Sequence, residues 1–206
     1  ELIQKLMLIM PEGPALTLNP DFFMYQAYAY QVDRPIEFVN AEPDLSFDLE
    51  RILQRIDEVQ PAFFIMSNPH NPSGKQYSLT FLKAIGDKMK TLGGYFIIDE
   101  AYLDFGNTYQ IEMQPHILQM RTLSKAFGIA GLRLGMLIST PETIQEIKRI
   151  EHPYPLNTIT LHIALYMFEH TEMLNNFINH QRQLTIKLRN MFDDLVSDIM
   201  VVFPYS

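Results

Sequence analysis

PAFFIMSNPHNPSG at 61–74, GYFIIDEAY at 94–102 and HILQM at 116–120 are the stretches whose reading decides the fold of this chain. The apolar runs inside them, 61–66, 94–98 and 116–120, read as buried strands, and a different polar group follows each: Asn71, Asp99 and Lys125. These groups stand 28 and then 26 residues apart, which fits repeated strand-helix-strand units of about 30 residues. In an open α/β sheet such units bring the carboxyl ends of parallel strands to one rim, where ligands bind. An amide, a carboxylate and an amine then converge on one crevice, which suits a cofactor that needs a neutral donor, an anion and a nucleophile together.

The flanking sequence supports the same class. Leu2, Leu6, Ile9 and Met10 repeat at helical spacing, and PALTL at 14–18 reads as a strand. A helix is expected over 21–31, a strand over 35–39, and a helix over 48–59 with Asp48 near its start. Further on, helices are expected over 78–90 and 141–150, strands over 116–121 and 134–139, and a short helix between those strands. This alternation predicts an α/β fold, a mostly parallel sheet with helices on both faces. From 158 to 197 the chain has neither proline nor glycine and reads as one long connecting helix. VVFPY at 201–205 reads as the first strand of a smaller domain. The expected division is a cofactor-binding large domain over 1–157, and a connecting helix with the beginning of a truncated small domain over 158–206.

With 206 residues, 47% of them apolar, the chain can bury a sizeable core. A net charge of −8 argues against a nucleic-acid partner, which needs a basic face. The absence of cysteine excludes disulfides and thiolate metal sites and fits a reducing compartment, so a cytoplasmic location is expected. ELIQKLMLIM at the start lacks a basic n-region and a small-residue cleavage site, and no stretch approaches a membrane span. The six histidines lack tight ligand spacing and read as surface or structural, with no metal expected, and the twelve methionines read as core filling.

Lys125 lies in RTLSKAFGIAGLRLG, 121–135, behind an apolar strand and ahead of Gly128, Gly131 and Gly135. Most lysines are solvated surface charges. Here backbone comes close to a ligand, and a desolvated lysine is a Schiff-base nucleophile. Arg133 offers a fork suited to a phosphate, and Thr122 and Ser124 offer hydroxyls, so the segment reads as a site for an aldehyde plus a phosphate. Asp99 ends an all-apolar run. It is either a turn or N-cap aspartate, or a carboxylate that needs a cationic partner such as a protonated pyridine nitrogen. A nucleotide-hydrolase reading of the same run needs a GxxxxGK[ST] loop, which the chain lacks. Asn71, in a rigid Pro/Asn/Gly turn, and Tyr102 are candidate donors to a phenolate oxygen on the ring. Phe22 is a candidate to stack on its face, although an aromatic at a helix start is more often core.

These residues carry a family resemblance. The chain resembles the fold type I pyridoxal-phosphate enzymes of the class I/II aminotransferases, and is most similar to the histidinol-phosphate aminotransferases. The likeness spans essentially the whole chain through NPDFFMY (19–25), SNPHNPSG (67–74), IIDEAYLDF (97–105), RTLSKAFGIAGLRLG (121–135) and HPYPLN (152–157). It implies pyridoxal 5'-phosphate as cofactor, with Lys125 as the lysine that carries it as an imine and then shuttles the proton between the substrate α-carbon and cofactor C4′. It further implies that Asp99 pairs with the pyridine nitrogen and that Asn71 and Tyr102 contact the phenolic oxygen. Phe22 stacks, and Ser124 and Arg133 bind the phosphate. The implied reaction is ping-pong transamination between an amino-acid or amine substrate and a 2-oxo acid, in a homodimer.

The chain departs from the family pattern at two places. Relatives usually read Pro-Thr-Tyr where Pro20-Asp21-Phe22 stand, and Asn-Pro-Asn-Asn-Pro-Thr-Gly where His70 and Ser73 stand. The resemblance also places the phosphate-cradling Gly-Ser pair, a tyrosine given across the dimer and the carboxylate-binding arginine outside this sequence, so little turnover is expected of the segment by itself. An aromatic amino-acid or phosphothreonine-type substrate, a decarboxylase or lyase on the same scaffold, and a non-catalytic cofactor-binding module remain alternatives at this level.

Overall fold

Six strands lie side by side in the order β2-β1-β3-β4-β5-β6. The structure, a computed structural model, describes residues 1–196. The strands are β1 (Ala15–Asn19), β2 (Ile36–Asn40), β3 (Phe63–Ser67), β4 (Tyr95–Asp99), β5 (Ile117–Thr122) and β6 (Gly135–Ile138). β2 to β5 pair in parallel through β1, and β6 runs antiparallel to β5. Helices α1 (Leu2–Ile9), α2 (Met24–Gln31), α3 (Leu49–Val59), α4 (Leu79–Thr91) and α5 (Pro141–Lys148) cover the sheet.

Period-two alternation in the strands distributes two cores. Phe64 and Met66 of β3, with Leu16, Leu18, Phe96 and Ile98, pack under Ile52 and Ile56 of α3 and Leu82 and Ile85 of α4. Phe63 and Ile65, with Ala15, Ile97, Leu118 and Met120, pack under Leu6 and Met7 of α1, Tyr25 and Ala29 of α2 and Ile147 of α5. Every residue of β3 is buried, as a strand covered on both faces requires, and this is why its sequence is a continuous apolar run. Polar side chains start the helices where the sequence places them. Asp48 accepts from the Arg51 amide at 3.0 Å, Ser78 from Phe81 at 3.2 Å and Asn157 from Thr160 at 2.9 Å.

Two expectations change. The helix expected from 21 starts at Met24, because Asp21 and Phe22 are held in the loop that follows β1. The single long helix over 158–197 is two helices, α6 (Thr158–Glu169) and α7 (Thr171–Val196), divided at His170 (φ −113°, ψ 53°). Neither proline nor glycine breaks it. The His170 ring donates from Nδ1 to the Tyr166 carbonyl at 2.7 Å and stacks on the Tyr166 ring. The break lets Met167 of α6 and both Leu174 and Ile178 of α7 bury against Phe127 and Ile129. The VVFPY strand expectation lies outside the described residues.

Candidate active site

The strand order reverses direction about β1: the chain passes from β1 to β2 on one side, then crosses back to β3 on the other. Such a switch point opens a crevice at the carboxyl ends of the two central strands. Asn19 ends β1, Ser67 ends β3 and Asp99 ends β4, with Ser67 and Asp99 in register as direct neighbours. β5 reaches the same rim and continues from Thr122 through Ser124 to Lys125.

Asp99 is buried, with its Oδ2 accepting from the Tyr25 hydroxyl at 2.9 Å and its Oδ1 from the Ala101 amide at 3.1 Å. It forms no ion pair among the described residues. Burial raises its pKa above the ordinary carboxylate value, while the Tyr25 and Ala101 hydrogen bonds, and more weakly the charge of Lys125, pull the other way. Burial, and after it the neighbouring Asp99, push the Tyr25 phenol well above its usual range, so Tyr25 stays a donor. Asp21 is half-buried beside them. Burial pushes it up to about 7 against the opposing hydrogen bonds of Ser67 and Phe22.

The Asn71 loop is strapped to the end of β1. His70 is buried, and its Nε2 donates to the Pro20 carbonyl at 2.8 Å, which leaves Nδ1 to accept from the Ser73 hydroxyl at 2.7 Å. Burial lowers the imidazole from its ordinary value and favours this neutral form. The Asn71 amide nitrogen of the backbone donates to Ser67 Oγ at 2.8 Å, whereas its side-chain amide makes no hydrogen bond among the described residues. The Tyr102 hydroxyl is likewise without a hydrogen bond among them. Both groups line a cleft of about 620 Å³, which Arg182 and Arg189 of α7 also line. Arg182 is held there by the carbonyls of Asp104 and Gly106.

Lys125 is exposed, against the desolvated lysine expected from the sequence, and its Nζ lies 5.1 Å from the centroid of the Tyr102 ring. Phe22 is partly buried, with its ring edge-on to Tyr25 at 5.7 Å and packed against the α1–α2 core. The Thr122 hydroxyl donates to Ser124 Oγ at 2.9 Å and accepts from the Ser124 amide. Arg133 is exposed in a left-handed conformation (φ 54°), and a rung from the Leu123 amide to the Leu134 carbonyl joins its limb of the β5–β6 connection to that of Ser124. The structure therefore gathers Asp99, Tyr102, Asn71 and Lys125 at one rim, and sets Thr122, Ser124 and Arg133 at its β5 side.

Sequence reasoning missed Tyr25, Ser67 and the carboxylate of Asp21 as parts of this site. Tyr25 follows Phe22 by three positions and shares its side of the helix start, the one sequence signal that pointed to it. Fold and site together define a doubly wound α/β protein with, around its crevice, an amine, a buried acid without an ion pair and two donors without hydrogen bonds among the described residues.

The chain belongs to the family Aminotransferase class I and II, whose family model matches residues 1–205. It is 38% identical over 174 residues to histidinol-phosphate aminotransferase 2 of Nitrosococcus oceani, covering 82% of this chain and 47% of that one. It is 31% identical over 199 residues to histidinol-phosphate aminotransferase of Caldanaerobacter subterraneus subsp. tengcongensis, covering 93% and 56%. The chain thus spans about half the length of these curated relatives. Among solved structures it resembles aspartate aminotransferase from Thermus thermophilus with maleate (TM-score 0.87, 19% identity, 99% of this chain and 56% of that one). It also resembles histidinol-phosphate aminotransferase from Sinorhizobium meliloti in complex with pyridoxal-5'-phosphate (TM-score 0.75, 22% identity, 86% and 50%). These likenesses match the mostly parallel sheet of the large domain of fold type I aminotransferases. Among the described residues no helix is long and apolar enough to cross a membrane.

Proposed function

We propose that this chain supplies the cofactor site of a pyridoxal-phosphate-dependent aminotransferase that moves an amino group between L-histidinol phosphate and 2-oxoglutarate in histidine biosynthesis. The single observation that carries the reading is Asp99: a buried carboxylate at the carboxyl end of a central parallel strand, with a hydroxyl and an amide as partners and no ion pair among the described residues. A buried anion of this kind is costly without a cation, and a ring N–H⁺ of a bound heteroaromatic fits it. Bound pyridoxal phosphate supplies an electrophilic aldehyde and an electron-withdrawing ring.

The residues of the chain then take these parts. Lys125 provides the amine that holds the aldehyde carbon and afterwards moves a proton to and from the substrate α-carbon. Asp99, oriented by Tyr25, holds the proton on the ring nitrogen. Asn71 and Tyr102 turn their unengaged donors to the ring oxygen, and Phe22 covers the face of the ring. Thr122, Ser124 and Arg133 bind the phosphate. Residues 1–157 form the large domain and 158–206 the helical connection to a smaller one, within a cytoplasmic homodimer.

Support for the donor comes from the relatives named above, which are histidinol-phosphate aminotransferases. The test, made on the full-length protein, compares glutamate formed from L-histidinol phosphate and 2-oxoglutarate with carbon dioxide released from L-threonine O-3-phosphate, because L-histidinol phosphate has no carboxyl group to lose. Glutamate without carbon dioxide is the expected result. Carbon dioxide release without glutamate overturns the reading in favour of a decarboxylase.

A further inference from the structure

Three donors converge on the two oxygens of Asp21. Its Oδ1 accepts from the Phe22 amide at 2.7 Å and from the Ser67 hydroxyl at 2.5 Å, and its Oδ2 accepts from the Ser67 amide at 3.0 Å. The Ser67 hydroxyl in turn accepts from the backbone amide of Asn71 at 2.8 Å. One carboxylate therefore joins the segment after β1, which carries Phe22, to the end of β3 and, through one hydroxyl, to Asn71. The contact spans the crevice at the switch point of the sheet, and 46 residues of chain separate its two sides.

We propose that Asp21 is a positioning residue that fixes Phe22 and Asn71 relative to each other, and so sets the orientation of the ring that Proposed function places between them. The inference rests on that reading for the ring, while the linkage of the two segments stands on this chain alone. An aspartate suits the position where an asparagine does not. Asparagine presents one acceptor oxygen and one NH₂ group, so either orientation of its amide sets NH₂ against a backbone N–H, of Phe22 or of Ser67. A threonine has one hydroxyl oxygen and cannot receive all three donors.

The test uses Asp21→Asn, which keeps the shape, and Ser67→Ala, which removes the hydroxyl link to Asn71 and leaves the Phe22 contact. Hydrogen exchange at the Asn71 amide is read without cofactor, and dissociation constant and induced circular dichroism are read with pyridoxal phosphate. In both variants the Asn71 amide is expected to exchange about tenfold faster. Asp21→Asn is also expected to weaken pyridoxal phosphate about tenfold and to lose most of the induced dichroism, a signature of ring orientation that a purely structural role would leave unchanged. Unchanged Asn71 exchange in Ser67→Ala overturns the linkage even if Asp21→Asn fails to fold. Faster exchange with unchanged cofactor affinity and dichroism overturns the role at the ring. A wild-type chain that binds no pyridoxal phosphate overturns the reading of the site itself, and is distinguishable because the exchange measurement needs no cofactor.

Discussion

Replacing Arg121 by methionine should destabilise the protein far more than the loss of an ordinary surface ion pair. The Glu100 side chain is 1% exposed, and Arg121, 30% exposed, donates Nε to its Oε2 at 3.0 Å. The other carboxylate oxygen accepts from Gln119 at 2.6 Å. Exposed pairs contribute about 0–1 kcal/mol, but removing one partner of a buried charge leaves the other uncompensated, at about 3–5 kcal/mol. Gln119 remains in place and Arg121 is itself partly solvated, so the lower end applies, about 3 kcal/mol, or roughly 6–12 °C in melting temperature for a chain of this size. Glu100→Gln in the same background removes the stranded charge, and the double variant should recover at least about 2 kcal/mol relative to the sum of the singles. Urea unfolding followed by circular dichroism on the wild type, both singles and the double closes the cycle. A cost for Arg121→Met below about 1 kcal/mol, or an additive cycle, refutes the argument that burial of Glu100 decides the energetics.

Other perturbations follow from the same structure. For Asp21, the folded value of about 7 lies above the ordinary 3.8, so the unfolded chain loses its proton first and the contribution of this group is fully present at low pH and lost as pH rises toward the folded value. Wild-type stability relative to Asp21→Asn should therefore fall by about 3 kcal/mol between about pH 5 and about pH 8 in urea titrations, and a flat difference contradicts the assignment. Phe64→Ala empties a fully buried site where the ring stacks on Phe96 at 5.8 Å, and should cost about 3–5 kcal/mol by thermal unfolding. Ile159→Ala, at a residue of α6 that is 70% exposed, should change stability by about 0.5 kcal/mol or less. Gly94→Ala would place a Cβ 2.6 Å from the Met89 methyl and 2.9 Å from the Pro61 carbonyl oxygen. The methionine can move and the backbone cannot, so a loss of about 1–3 kcal/mol is expected in the same assay.

The sheet was legible because its central strands are buried on both faces and so are written as unbroken apolar runs, and the start of α3 because Asp48 caps it locally. Convergence of Asn71, Asp99 and Lys125 on one rim followed from topology alone, since parallel strands deliver their carboxyl ends to one side of the sheet. Contacts formed across long stretches of chain were not legible. Tyr25 meets Asp99 across 74 residues and Arg182 meets Asp104 across 78, and no periodicity encodes either. The division of α6 from α7 escaped because a histidine ring bonding and stacking back on Tyr166, and the burial gained by bending, leave no proline or glycine to read. Exposure of Lys125 escaped for the opposite reason: the glycines around it marked a close approach of backbone, and sequence does not state what fills the space.

The central claim is that the amine at 125 and the acid at 99 serve one bound ring, and reductive trapping tests it most directly. The protein with pyridoxal phosphate should show an imine absorption band, and borohydride followed by peptide mapping should place the pyridoxyl group on Lys125, with band and label both absent in Lys125→Ala. A label on another lysine, or a band that survives Lys125→Ala, contradicts the account.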